Sequence, residues 1–139
     1  MGRVFFNTSM NLDTTTLTNT TSYTMLQSDS GKTFMVSGGT QAVTLPPVAD
    51  LEEGWHCRFM NAASPSGDKT LSAASGIIHG TCQDAGNGVG CGTDGTAVQG
   101  IIIEAASQAG NWLDLFTDGS AYYFNASASQ DTAYTTVAA

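Results

Sequence analysis

With 139 residues and a charged fraction of only 12%, the chain is sized for one domain with a hydrophobic core of its own. Four Lys and Arg stand against twelve Asp and Glu, for a net charge of −8. This argues against the clustered cations that nucleic acid or an anionic membrane surface requires, and no stretch reaches the ~20 apolar residues of a membrane span.

The opening segment, Met1 to Asn7, lacks the apolar stretch of a signal peptide, which predicts synthesis in a cytoplasm. Gly2 does not begin a myristoylation motif, because Phe6 stands where Ser or Thr is needed. The sequons at Asn7, Asn19 and Asn125 carry little weight in so Thr- and Ser-rich a chain. Residues 1–22 combine the apolar cluster Val4-Phe5-Phe6 with a Thr/Asn-rich run. They read either as an extended N-terminal arm or as an edge strand of the same domain.

From Tyr23 onward, short apolar and β-branched runs alternate with turn residues. Strands are predicted at 23–27, 33–37 and 42–45, the last ended by Pro46-Pro47. A single helical turn is expected at 48–54, closed by Gly54. In the next strand Trp55, Cys57 and Phe59 point one way and His56 and Arg58 the other. Short strands follow at 70–72 and 76–79, then a glycine-rich excursion at 81–96. The strongest strand is 98–105, centred on Ile101-Ile102-Ile103. The strand 112–117 and the return at 122–125 are joined by the hairpin signal Asp118-Gly119. The expected organisation is an arm (1–22), a β domain (23–126) and a small polar C-terminal tail (127–139). The fold class is all-β, a single β-sandwich or jelly-roll-like barrel. No internal repeat at solenoid period is visible.

Chemistry-bearing motifs are weak. Gly31-Lys32-Thr33 has Leu26 where a phosphate-binding loop needs glycine. His79 and Cys82 make one loose ligand pair with Cys91 alone, and adjacent His56 and Cys57 face opposite sides of a strand, so no metal is expected. Asp84, Asp94 and Glu104 do not make the Asp-x-Asp-x-Asp-Gly calcium loop, which leaves only some other mode of calcium binding open to Asp84, Asn87 and Asp94 of the glycine-rich loop. Cys82 and Cys91 either bridge the base of the glycine-rich loop or remain free thiols. Asp114 reads as a solvated residue of an outer face. No catalytic residues are assigned and no cofactor is expected. In the strand 112–117, Trp112 and Phe116 share one face and Leu113 and Leu115 the other. Burial on both faces would fit a subunit interface as well as a core.

Two stretches carry a resemblance. One is Ser28-Asp29-Ser30-Gly31-Lys32-Thr33-Phe34-Met35-Val36, with Val43-Thr44-Leu45-Pro46 and Gly54-Trp55-His56-Cys57-Arg58-Phe59. The other is Gly110-Asn111-Trp112-Leu113-Asp114-Leu115-Phe116 with Asp118-Gly119-Ser120-Ala121-Tyr122-Tyr123-Phe124. Together they resemble small β domains of tailed phages, which occur as capsid decoration (cement) proteins and as tail-fibre modules. The resemblance implies a non-enzymatic virion protein, usually a homotrimer, on the capsid surface with the major capsid protein as partner. Val4, Phe5 and Phe6 are then the expected arm anchors. Neither nucleic acid nor membrane is an expected partner. The alternative is a receptor- or glycan-binding fibre or spike module, with Trp112, Tyr122 or Tyr123 stacking on sugar.

Overall fold

A computed structural model describes residues 14–17, 21–75, 77–84, 92–93 and 95–139. Among the described residues eleven strands run in chain order: β1 Thr14–Leu17, β2 Tyr23–Thr24, β3 Thr33–Val36, β4 Gln41–Thr44, β5 His56–Asn61, β6 Lys69–Ser72, β7 Ile78–Asp84, β8 Gly100–Ile103, β9 Trp112–Thr117, β10 Tyr122–Ala128 and β11 Tyr134–Val137. They build two sheets, ordered β1-β3-β5-β9-β10-β7 and β11-β8-β6-β4-β2. The all-β reading holds, as a sandwich of two packed sheets. Among the described residues each sheet keeps two separate edges, so the sheets are not closed into a barrel.

Up to β9 the chain changes sheet at every step. Parallel neighbours need a crossover, and here the crossover is a strand of the opposite sheet rather than a helix. β1, β3 and β5 therefore stack parallel in one sheet, and β2, β4 and β6 do so in the other. The first half of the chain is three superposed coils. Phe34 sits beside Phe59 in register, and their rings stack at 5.1 Å with planes 20° apart. The second half closes the stack with antiparallel strands: β9 on β5, β10 on β9, β8 on β6 and β11 on β8.

Period-two alternation decides what enters the core. Cys57 and Phe59 of β5, Leu113 and Leu115 of β9, and Tyr122, Phe124 and Ala126 of β10 all point inward and are buried. They meet Val43, Leu71, Ile101 and Ile103 of the other sheet in one cluster. Trp55 and Tyr122 contact edge to face at 6.0 Å. The Tyr122 hydroxyl donates to the Pro46 carbonyl at 2.5 Å, which satisfies it far from water.

Two expected boundaries shift. Residues 127–139 are not a polar tail. β10 continues to Ala128, and β11 pairs antiparallel with the isoleucine strand β8. Ala133 and Tyr134 are buried. Within residues 1–22, Thr14–Leu17 is the edge strand β1, with Leu17 in the core. The turn at 48–54 holds a short 3-10 segment, Val48–Asp50. The hairpin signal at Asp118-Gly119 joins β9 to β10, with Gly119 at φ 87° and the Asp118 carboxylate accepting from Ser120 and Ala121 N–H.

Candidate binding faces of the two sheets

Packed sheets turn their outer faces in opposite directions. On the six-stranded sheet the register places His56 of β5 beside Phe116 of β9, Phe116 beside Tyr123 of β10, and Tyr123 beside His79 of β7. Four ring-bearing residues thus cross four strands in one row. Phe116 and Tyr123 stack at 5.5 Å and 24°, and Tyr123 and His79 at 5.9 Å and 26°. These separations exceed the ~4.8 Å between strands only slightly, so neighbouring rings overlap in offset stacks. The Tyr123 hydroxyl donates to the Asp118 carboxylate at 3.1 Å, a bond that raises the Tyr123 pKa and fixes its ring.

The adjacent row holds Thr33, Arg58, Asp114, Asn125 and Thr81 in register. Arg58 and Asp114 form a two-pronged ion pair, Nε to Oδ1 at 2.5 Å and Nη2 to Oδ2 at 2.6 Å. This bond raises the Arg58 pKa further, so the guanidinium stays charged. It also lies 5.0 Å from the Trp112 ring centre in a cation–π contact. Asp114 therefore faces outward as the sequence suggests, held by a partner on the neighbouring strand.

At one end of the ring row is a groove of about 560 Å³, lined among others by Gly31, Lys32, His56, Arg58, Asp114 and Phe116. Of the chain's four Lys and Arg, Arg3 lies outside the described residues. Lys69 is buried, its ammonium donating to the Gly39 carbonyl and its pKa lowered by desolvation. The other two, Lys32 and Arg58, both line this groove. Lys32 bonds the buried Asp29 carboxylate at 2.8 Å.

The outer face of the five-stranded sheet differs in kind. Its two rows are Thr24, Thr44, Ser72, Gly100 and Val137, and Ala42, Thr70, Ile102 and Thr135. No charge occurs in either row, in a chain of net charge −8. The side chains are short, so another surface can approach the sheet closely.

The residues expected from sequence as a subunit interface separate. Leu113 and Leu115 are fully buried in the domain's own core and are unavailable to a partner. Trp112 is half-buried and Phe116 is 46% exposed on the outer face. Tyr122, named as a sugar-stacking candidate, is buried as well, whereas Tyr123 is on the outer face. Val4, Phe5 and Phe6 lie outside the described residues. Cys82 is disulfide-bonded and Cys57 is a free buried thiol. Cys91 lies outside the described residues. Among the described residues, no three His, Cys, Asp or Glu side chains gather as metal ligands. The ring row was missed because His56, His79 and Phe116 meet only through the strand order, which local sequence does not encode.

The chain matches no protein-family model, and no curated protein is significantly similar to it.

Proposed function

We propose that the protein is a structural component of a tailed-phage particle that seats on the exterior of the assembled capsid and reinforces it. The observation that carries this reading is the outer face of the five-stranded sheet, whose two rows hold no charged residue and meet the Glu104 carboxylate at their margin, where it accepts from the Thr135 hydroxyl. Charged residues are depleted at the cores of protein interfaces, and a face of Thr, Ser, Ala, Ile and Val rows sheds water at little desolvation cost. The resemblance of residues 23–125 to phage decoration and fibre domains supplies the partner, the major capsid protein. Val4, Phe5 and Phe6 extend the grip in this reading, and the bound form is a homotrimer. Stabilisation follows from mass action: a ligand that binds only the assembled lattice favours that lattice.

The test is co-sedimentation of the purified protein with capsids lacking it, followed by thermal disruption of the particles. Saturable binding and a higher disruption temperature are expected. Thr44→Lys with Thr70→Lys on this face should weaken binding without lowering the protein's own melting temperature. Unchanged binding by this double variant would refute the assignment of the face.

A further inference from the structure

We propose that the groove beside β3, β5 and β9 is a binding site for a neutral saccharide. The inference stands apart from the capsid reading, since the groove is on the opposite face from the proposed seat.

Two glycines border the groove. Gly31 and Gly54 have φ of 81° and 87°, a conformation that favours glycine, and the space where a Cβ would stand on either is open to 4 Å. The groove's volume of about 560 Å³ is within the ~300–1,000 Å³ of small-molecule sites.

One wall is an aromatic ring held in place from behind. Tyr123 covers one side of Phe116, and Tyr123 is itself backed by His79 and anchored to Asp118. The other side of Phe116 turns toward β5 and the groove, and this side chain is 46% exposed. An exposed, preorganised ring is what the C–H face of a pyranose needs. Its hydrophobic contact costs the protein no ordering entropy on binding.

The polar part of the lining is equally fixed. Each Asp114 oxygen accepts one bond from Arg58, and a carboxylate oxygen has capacity for a second. Arg58 likewise carries more N–H groups than the two used on Asp114. A sugar edge presents hydroxyls that donate and accept at once, which matches a carboxylate and a guanidinium side by side. The His56 Nδ1 donates to the Gly54 carbonyl at 3.0 Å, which orients the ring and leaves Nε2 to meet a hydroxyl. The preference for a neutral sugar follows from the charges: Lys32 and Arg58 are matched by Asp29 and Asp114, so the groove holds no surplus of positive charge for a uronate or phosphate.

The experiment titrates the ¹⁵N-labelled full chain with maltotetraose, cellotetraose and chitotetraose, with tetragalacturonate as the acidic comparison, and follows amide shifts. At least one neutral probe is expected to give saturable shifts centred on Gly31, Gly54, His56 and Phe116. Phe116→Ala and Asp114→Asn should each weaken that binding about tenfold or more, and Phe116→Tyr should retain it. Melting curves confirm that each variant is folded. The proposal is overturned if no neutral probe shifts these amides, if only the uronate does, or if the shifts centre elsewhere. It is also overturned if Phe116→Ala leaves binding intact, or if it changes the oligomer mass instead, which would make this face a contact between copies of the chain.

Discussion

Strand β9 sets two kinds of apolar residue side by side. Leu115 is fully buried, while the next residue, Phe116, is 46% exposed. Leu115→Ala should therefore cost about 2–5 kcal/mol, the range for a cavity in a packed core. Phe116→Ala should stay within about 0.5 kcal/mol, as for a surface position. Urea denaturation of both variants checks the contrast, and equal losses would mean that the outer face is covered in the isolated protein. The alternation of this strand is legible in the sequence, but the choice of inward face is not, because Trp112 and Phe116 are as apolar as Leu113 and Leu115. Tyr122 and Tyr123 illustrate the same limit, since adjacent tyrosines take opposite faces and opposite roles. Burial raises the pKa of Tyr122, and of Tyr134 on β11. The unfolded chain ionises its tyrosines near the ordinary value of about 10, while the folded chain keeps these two neutral. Their contribution to stability is thus full below pH of about 10 and falls as pH rises above it. Tyr122→Phe should shed part of that alkaline loss. At neutral pH it should cost about 1–3 kcal/mol, because the Pro46 carbonyl loses its buried donor. Denaturation midpoints from neutral to alkaline pH separate the two effects.

Among the elements, the hairpin β9–β10 was readable from Asp118-Gly119 and the flanking aromatic runs. The last strand was not, because the small polar residues from Ser127 to Ala139 give no apolar alternation. β11 forms because the isoleucine strand β8 offers it an edge, and because Ala133 and Tyr134 then enter the core. Removing residues 129–139 should expose that edge and abolish cooperative melting or cause aggregation. Deleting residues 1–17 should lower stability by at least about 1.5–3 kcal/mol, the value of burying one side chain such as Leu17. Circular dichroism melts of both truncations are the check, and a cooperative, unshifted transition without residues 129–139 would contradict the role given to β11. The coils escaped sequence reading for a geometric reason. Thr14 lies beside Thr33 and Thr33 beside Arg58, offsets of 19 and 25 residues. Tyr23 lies beside Val43 and Val43 beside Leu71, offsets of 20 and 28. Unequal connections hide a structural repeat that has no fixed sequence period.

At the scale of the whole molecule, the two sheets give the protein two different sides. One is built of short side chains with no charge in its two rows, and the other bears a braced row of rings with Lys32 and Arg58 at its end, the two accessible cations among the described residues. Composition alone indicated an all-β chain poor in cations, yet the division of labour between faces depends on strand order and register. The proposed capsid seat on one side and the proposed saccharide groove on the other would account for both. Electron cryomicroscopy of tailed-phage particles incubated with the purified protein tests that proposal most directly. The account predicts density for the two-sheet domain on the capsid exterior, with Thr44, Thr70 and Ile102 against the major capsid protein and Phe116 turned to solvent. Density on the tail alone, or a domain seated on the capsid through the ring-bearing sheet, would contradict it.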